Sequence, residues 1–279
     1  MIHANTTIAA LLERYEGLLF DAYGVLLDAS GARADARELV ERLNNTQYPY
    51  AIVTNSASKT LDRTWHWYND IGLAIPRERI ITTGSLIPRY FEEHQLQGRR
   101  CAVLGPGDSV AMVEQAQGVV VSPLAEDFDV LVVADESGYP FIATLDAILT
   151  RICKTIEAGR FLHLLLANPD HLYPKDSETK GIAAGSVMSL IEAALSSLYG
   201  SSAPRFECLG KPYRLIFDIA CEQIGVHRVA MIGDQMATDI KGAHAAGLDS
   251  VLFRVNPSSV AFRGWNDIRP TWLLDSLAL

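Results

Sequence analysis

Short apolar runs alternate along this chain with longer segments in which apolar residues recur every three to four positions. The runs suit strands buried on both faces, and the longer segments suit helices laid over them, the pattern of an α/β fold with a parallel sheet. The strand-like runs are Gly17 to Phe20, Tyr50 to Thr54, Cys101 to Leu104, Val130 to Ala134, His163 to Ala167, Val229 to Ile232 and Ser250 to Phe253. Each ends where small or polar residues begin. Ligands of open α/β sheets gather beyond the carboxyl ends of strands. The informative residues are therefore those that follow the runs: Asp21, Thr54-Asn55-Ser56, Asn168-Pro169-Asp170 and Gly233-Asp234.

Two breaks organise the chain. Ile80-Ile81 gives way to turn residues at Thr82-Thr83-Gly84-Ser85, and Leu195 to Pro204, rich in Ser with a Gly and a Pro, reads as a return loop. They set off an insert over 86–203, mounted on a core made of 1–85 and 204–279. A helix is expected over Ser58 to Trp67, directly after the Thr54 tip, and another over Tyr213 to Gln223.

Composition narrows the function classes. With 49% hydrophobic and 20% charged residues the chain is ordinarily globular. A formal charge of −9 offers no general basic field for nucleic acid or an anionic membrane. A phosphate ligand would need local help from a metal, a lysine or backbone N–H groups. The four cysteines, Cys101, Cys153, Cys208 and Cys221, form no metal-ligand spacing and read as reduced, mostly core residues. The N-terminus lacks a basic segment, and no run approaches the ~18 apolar residues of a membrane span, so a cytoplasmic location is expected.

Four elements carry candidate chemistry. Leu18-Leu19-Phe20-Asp21-Ala22-Tyr23-Gly24 delivers a carboxylate to a strand tip, where it suits a covalent nucleophile or a hard oxygen ligand for Mg²⁺. Ala51-Ile52-Val53-Thr54-Asn55-Ser56 ends in hydroxyl and amide groups able to hold phosphate oxygens. Leu209-Gly210-Lys211-Pro212 supplies a compact positive charge able to neutralise a carboxylate and a phosphoryl group at once. In Ile232-Gly233-Asp234-Gln235-Met236-Ala237-Thr238-Asp239, two aspartates five apart suit a divalent cation. Alone, the first and third read first as an ordinary cap, turn or surface residue and the second is a weak signal; the fourth is the most specific.

Taken in order, the four elements resemble the haloacid dehalogenase (HAD) superfamily of hydrolases over nearly the whole chain. Leu166-Ala167-Asn168-Pro169-Asp170 and Gly181-Ile182-Ala183-Ala184-Gly185-Ser186, both inside the insert, are similar to the class II, subclass A branch of nitrophenyl-phosphatase-like, phosphoglycolate, pyridoxal, sugar and nucleotide phosphatases. The resemblance implies a Rossmann-like parallel sheet core with an inserted α/β cap domain. It implies a Mg²⁺-dependent phosphatase of a small phosphorylated metabolite. Asp21 would be the nucleophile, Thr54 would hold a phosphoryl oxygen with Asn55 and Ser56 alongside, and Lys211 would pair with Asp21. Asp21, the Tyr23 carbonyl and Asp234 would ligate Mg²⁺, with Asp239 acting through water or from behind. Asn168 and Asp170 would fall where the branch places substrate-recognition and supporting residues. Caps of this branch often mediate dimers, which keeps a homodimer among the expected states.

The chain departs from the pattern at Tyr23, where phosphatases of this superfamily carry a second aspartate as general acid and base. A phenol of reference pKa ~10 is a poor base near neutral pH. The first reading is a phosphatase that recruits another acid or prefers good leaving groups, with His171 a candidate substitute. The second is a metal-independent L-2-haloacid dehalogenase, which Asp21-Ala22-Tyr23-Gly24 resembles locally but Gly233-Asp234 does not. The third is a low-activity regulatory protein that binds phosphate and Mg²⁺. His66 and His163 read as packing residues, and Asp135-Glu136-Ser137-Gly138 as a solvated turn.

Overall fold

The computed structural model describes residues 4–124, 127–175, 179–254 and 268–279. The chain forms two compact units, one from Met1–Thr54, Leu61–Ile81 and Lys211–Leu279, the other from Asn55–Thr60 and Thr82–Gly210.

The first unit is built on a sheet whose strands run, among the described residues, in the order Ala4–Asn5, Trp272–Leu274, Asp249–Phe253, Val229–Gly233, Gly17–Phe20, Tyr50–Thr54, Ile80–Thr82. From Ala4–Asn5 through Tyr50–Thr54 every pairing is parallel. Every residue of Gly17–Phe20 and Val229–Gly233 is buried, as expected of central strands covered on both faces. The helix Ala34–Asn45 buries Ala36, Leu39, Val40 and Leu43, a three-to-four spacing that places one stripe against Phe20, Ile52, Ile232 and Phe253.

The second unit carries its own parallel sheet, ordered Glu207–Cys208, His163–Leu166, Val130–Val133, Arg100–Leu104, Val119–Val121. Helices Phe141–Glu157 and Ala184–Tyr199 pack against it through Leu145, Ile148, Ile152, Val187, Ile191 and Leu195. A short antiparallel hairpin joins Leu172–Pro174 to Lys180–Ile182.

All the expected strands form, in two sheets: the three from Arg100, Val130 and His163, which fall within the expected insert, share the second. The insert's ends lie outward of 86 and 203. Its sheet recruits Glu207–Cys208 beside Leu165 and Leu166, and Leu209 N–H bonds Leu166 O at 3.1 Å. The Leu195–Pro204 stretch is not a loop throughout: the helix runs on to Tyr199 and Leu195 is fully buried. The helix expected from Ser58 begins only at Leu61. The carbonyls that would start it earlier are taken by Gly84 N–H on Ser56 O and by Ser109 Oγ on Ala57 O. Among the described residues, no helix is long and apolar enough to cross a membrane.

Candidate active site

Sheet register sets the site in the first unit. Phe20 pairs with Ile232 on one side and Ile52 on the other, so Asp21, Gly233-Asp234 and Thr54 leave adjacent strand tips. Asp21 is buried and its N–H still bonds Ile232 O at 2.9 Å, which ties the residue to the sheet rather than to a loose loop. The chain then turns sharply: Gly24 has φ +93° and its N–H bonds Leu27 O at 2.7 Å. A methyl group at Gly24 would overlap the Asp234 carboxylate, and one at Gly233 would overlap that of Asp239. Both glycines admit an acid at close range.

Lys211 opens the approach to the helix Arg214–Ile224 and is buried. Its Nζ lies 2.6 Å from Asp21 Oδ1 and 2.7 Å from Asp239 Oδ1. Asp239 is fully buried in the turn of helix Met236–Ile240, and its Oδ2 accepts the Gln235 N–H at 3.0 Å. Asp21, Asp234 and Asp239 each offer a carboxylate oxygen within 4.8 Å of the others.

One family model, described as haloacid dehalogenase-like hydrolase, matches residues 18–118, and a second, described as HAD-hydrolase-like, matches 208–279. The dihydroxyacetone phosphatase of Corynebacterium glutamicum is 30% identical over 264 residues, covering 93% of this chain and 88% of that protein. The chain belongs to the haloacid dehalogenase-like hydrolases. The acid sugar phosphatase of Staphylococcus haemolyticus is 24% identical across 95% of both chains. A possible sugar phosphatase of the HAD superfamily from Cytophaga hutchinsonii superposes with TM-score 0.84 at 25% identity, over 100% of this chain and 99% of the other. The 4-nitrophenylphosphatase of Thermotoga maritima, with TM-score 0.78 at 22% identity over 96% of each chain, shares the fold.

The electrostatics of this HAD-like hydrolase centre on an excess of acid. Burial pushes the Asp21 carboxyl up to about 7; Lys211 pulls against that and Asp239 adds to it. Burial raises Asp234 well above the carboxylate range, and the Asp21 and Asp239 charges raise it further. Burial alone would lower Lys211, but Asp21 and Asp239 outweigh it and hold the ammonium protonated above its usual range. Three carboxylates against one ammonium leave a formal excess of two negative charges. Asp234 Oδ1 is buried without a hydrogen-bond partner. A hard divalent cation fits that donor set: it takes oxygen ligands, balances the charge and satisfies the orphaned oxygen. Asp239 has the Gln235 N–H on one oxygen and the Lys211 ammonium 2.7 Å from the other.

Of the other expected residues, Thr54 is half-buried at its tip. Tyr23 is half-buried against the core, and burial, then Asp28, raise its phenol, so it stays protonated and is no base near neutral pH. In the second unit, the Asn55 amide Nδ2 donates to Asp170 Oδ1 at 2.8 Å, and Asn168 Oδ1 accepts the Asp170 N–H at 3.0 Å. Ser56 is half-buried and its carbonyl is held by Gly84 N–H. His171 is exposed and its carbonyl accepts from Ala183 N–H and Ser186 Oγ. His66 is exposed against Trp65, and His163 is half-buried with Nε2 2.9 Å from Tyr90 Oη. Asp135 takes the Ser137 N–H and hydroxyl, the turn expected of it. Sequence reasoning passed over Tyr68, buried in helix Leu61–Asp70, whose phenol is raised first by burial and then by the Asp21 charge. Its signal was the helical period, four residues after the buried Thr64.

Proposed function

We propose that this chain is a Mg²⁺-dependent phosphatase of a small phosphorylated metabolite, with Asp21 as nucleophile. The observation that carries the reading is the 2.6 Å pair of Asp21 Oδ1 and Lys211 Nζ inside a buried acidic cluster with an unsatisfied Asp234 oxygen. The relatives named as dihydroxyacetone and acid sugar phosphatases support a short sugar phosphate as substrate.

The chemistry follows from the residues. An Asp21 carboxylate oxygen attacks phosphorus in line, the bond to the substrate oxygen breaks, and an acyl phosphate forms on Asp21. Water then attacks that phosphorus, releasing inorganic phosphate and restoring the carboxylate. Lys211 holds Asp21 in place and offsets the charge that spreads over the phosphoryl oxygens, while Thr54, with Asn55 and Ser56 next in the chain, supplies donors to those oxygens. Asp239 fixes Lys211. Asp21, Asp234 and the Tyr23 carbonyl would hold Mg²⁺, which when bound would neutralise charge between the two anions brought together. Tyr23 supplies no carboxylic acid for the leaving group, so a leaving sugar oxygen takes its proton from water or another donor, and aryl or acyl esters, which need little protonation, turn over faster. Asn168 and Asp170 complete the expected set of recognition and supporting residues. The metal-independent dehalogenase reading is disfavoured by the acidic cluster, which repels an anionic haloacid unless a cation is bound.

The test is phosphate release from a panel of sugar, aryl and acyl phosphates, with Mg²⁺ and with chelator, by wild type and Asp21→Asn. Release that needs Mg²⁺ and vanishes in Asp21→Asn supports the reading. Halide release from L-2-haloacids without metal, or tight Mg²⁺ binding with no turnover on any ester, overturns it.

A further inference from the structure

The segment Asn55–Thr60 follows Thr54 directly yet belongs to the second unit, where it is held at four points. Ser56 O accepts Gly84 N–H at 3.2 Å, Ala57 O accepts Ser109 Oγ at 2.7 Å, and Thr60 N–H donates to Asp108 at 3.1 Å. The fourth point is the side chain of Asn55, which is buried and donates from Nδ2 to Asp170 Oδ1 at 2.8 Å. The other end of that amide faces Gly210: a methyl group there would overlap Asn55 Oδ1 and press on the Pro169 ring. Gly210 is the residue before Lys211. Asn55, Pro169, Asp170 and Gly210 therefore form one clamp within the second unit, and it holds the residue after Thr54 and the residue before Lys211.

The loop that carries Asp170 is itself pinned. Asp170 N–H bonds Asn168 Oδ1, and Asp170 O accepts Gly185 N–H at 2.9 Å at the start of helix Ala184–Tyr199. Gly185 is open to that approach because a methyl group there would overlap the carbonyls of Pro169 and Asp170. A carboxylate whose backbone is anchored on both sides is a fixed point, and a charged acceptor holds an amide more firmly than a neutral one does.

We infer that Asp170 is a positioning residue: it holds the Asn55 amide, and that amide in turn sets the Thr54–Asn55 peptide and stands against Gly210, the residue before Lys211. Its part is then orientation of the groups around the phosphoryl, not recognition of the organic half of the substrate. The inference rests on the phosphatase reading and deepens it. A displacement of 1 Å in such groups costs on the order of 10²-fold in rate.

The two roles separate in kinetics. Asp170→Ala should lower kcat by about 10- to 100-fold for every ester, by the same factor whatever the leaving group, with KM nearly unchanged. Asp170→Asn keeps an acceptor oxygen and should recover most of the rate. Asn55→Ala combined with Asp170→Ala should lose no more than either alone, since both act as one unit. A loss that differs between esters and lies in KM, or a double variant in which the two losses multiply, overturns the inference. Wild-type turnover tests the phosphatase reading separately. Should wild type prove inactive, titration with inorganic phosphate by calorimetry carries the test: weaker binding in Asp170→Ala supports the clamp, and unchanged binding overturns it.

Discussion

The Lys211 ammonium sits 2.7 Å from Asp239 and 2.6 Å from Asp21, so one cation is shared by two buried acids. Removing it leaves three carboxylates together. Removing Asp239 leaves a pair intact. Lys211→Met should therefore destabilise the metal-free protein by about 3–5 kcal/mol, the cost of stripping one partner from a buried pair. Asp239→Asn should cost distinctly less, because Asp21 still holds the lysine. Urea unfolding of the two variants in chelator checks the order, and equal midpoints would contradict the sharing.

The raised Asp21 carboxyl makes stability depend on pH. Its folded value of about 7 lies above the ordinary 3.8, so between those two the folded state holds a proton that the unfolded state has released. Stability rises with pH only where the unfolded state binds more protons, so here it falls as pH rises through that window and levels off above it. The slope is up to about 1.4 kcal/mol per pH unit for one proton. Mg²⁺ prefers the ionised cluster, so its stabilising effect should grow across the same window. Thermal unfolding across it, with chelator and with Mg²⁺, should show two curves that diverge upward in pH; parallel curves would sink the prediction.

Asp234 Oδ1 is buried and unsatisfied, which is a cost in the metal-free protein and an asset when a cation is bound. Asp234→Asn should raise the metal-free midpoint by a few degrees while abolishing the upward shift that Mg²⁺ produces in wild type. A variant less stable than wild type in chelator, yet still responsive to Mg²⁺, would place the cation elsewhere.

Tyr23 offers no acid to the leaving oxygen, so Tyr23→Asp should raise turnover of alkyl phosphates, by up to about 10²-fold, and change aryl phosphates much less. The ratio of sugar phosphate to 4-nitrophenyl phosphate turnover measures this. An unchanged ratio would mean that another group already protonates the leaving oxygen.

Much of this site was legible because each of its residues ends a continuous apolar run. Phe20 before Asp21, Val53 before Thr54 and Ile232-Gly233 before Asp234 are buried strand positions, and a parallel sheet brings such tips together. The order of the strands within each sheet was not legible, since Val130–Val133 and Val229–Gly233 read alike and a run does not name its neighbour. Edge strands such as Ala4–Asn5 and Glu207–Cys208 are too short to show a period and exist through pairing. The delayed helix start at Leu61 depends on Gly84 and Ser109, both far along the chain. The expectation for Asp170 came from its place in a motif, whereas its hydrogen bond to Asn55 spans 115 positions and leaves no local trace.

Gly24 tests the link between backbone and metal site most directly. Its φ of +93° is costly for any side chain, and the space where a Cβ would stand is filled by the Asp234 carboxylate. Gly24→Ala should therefore do two things that a purely conformational glycine would not do together. It should lower stability by about 1 kcal/mol or more from the strained turn. It should also weaken the stabilisation by Mg²⁺, because Asp234 must move. Calorimetric titration with Mg²⁺ beside urea unfolding separates the two effects. Lost stability with unchanged Mg²⁺ affinity would show that Asp234 keeps its ligand position by another route, and that the glycine serves the turn alone.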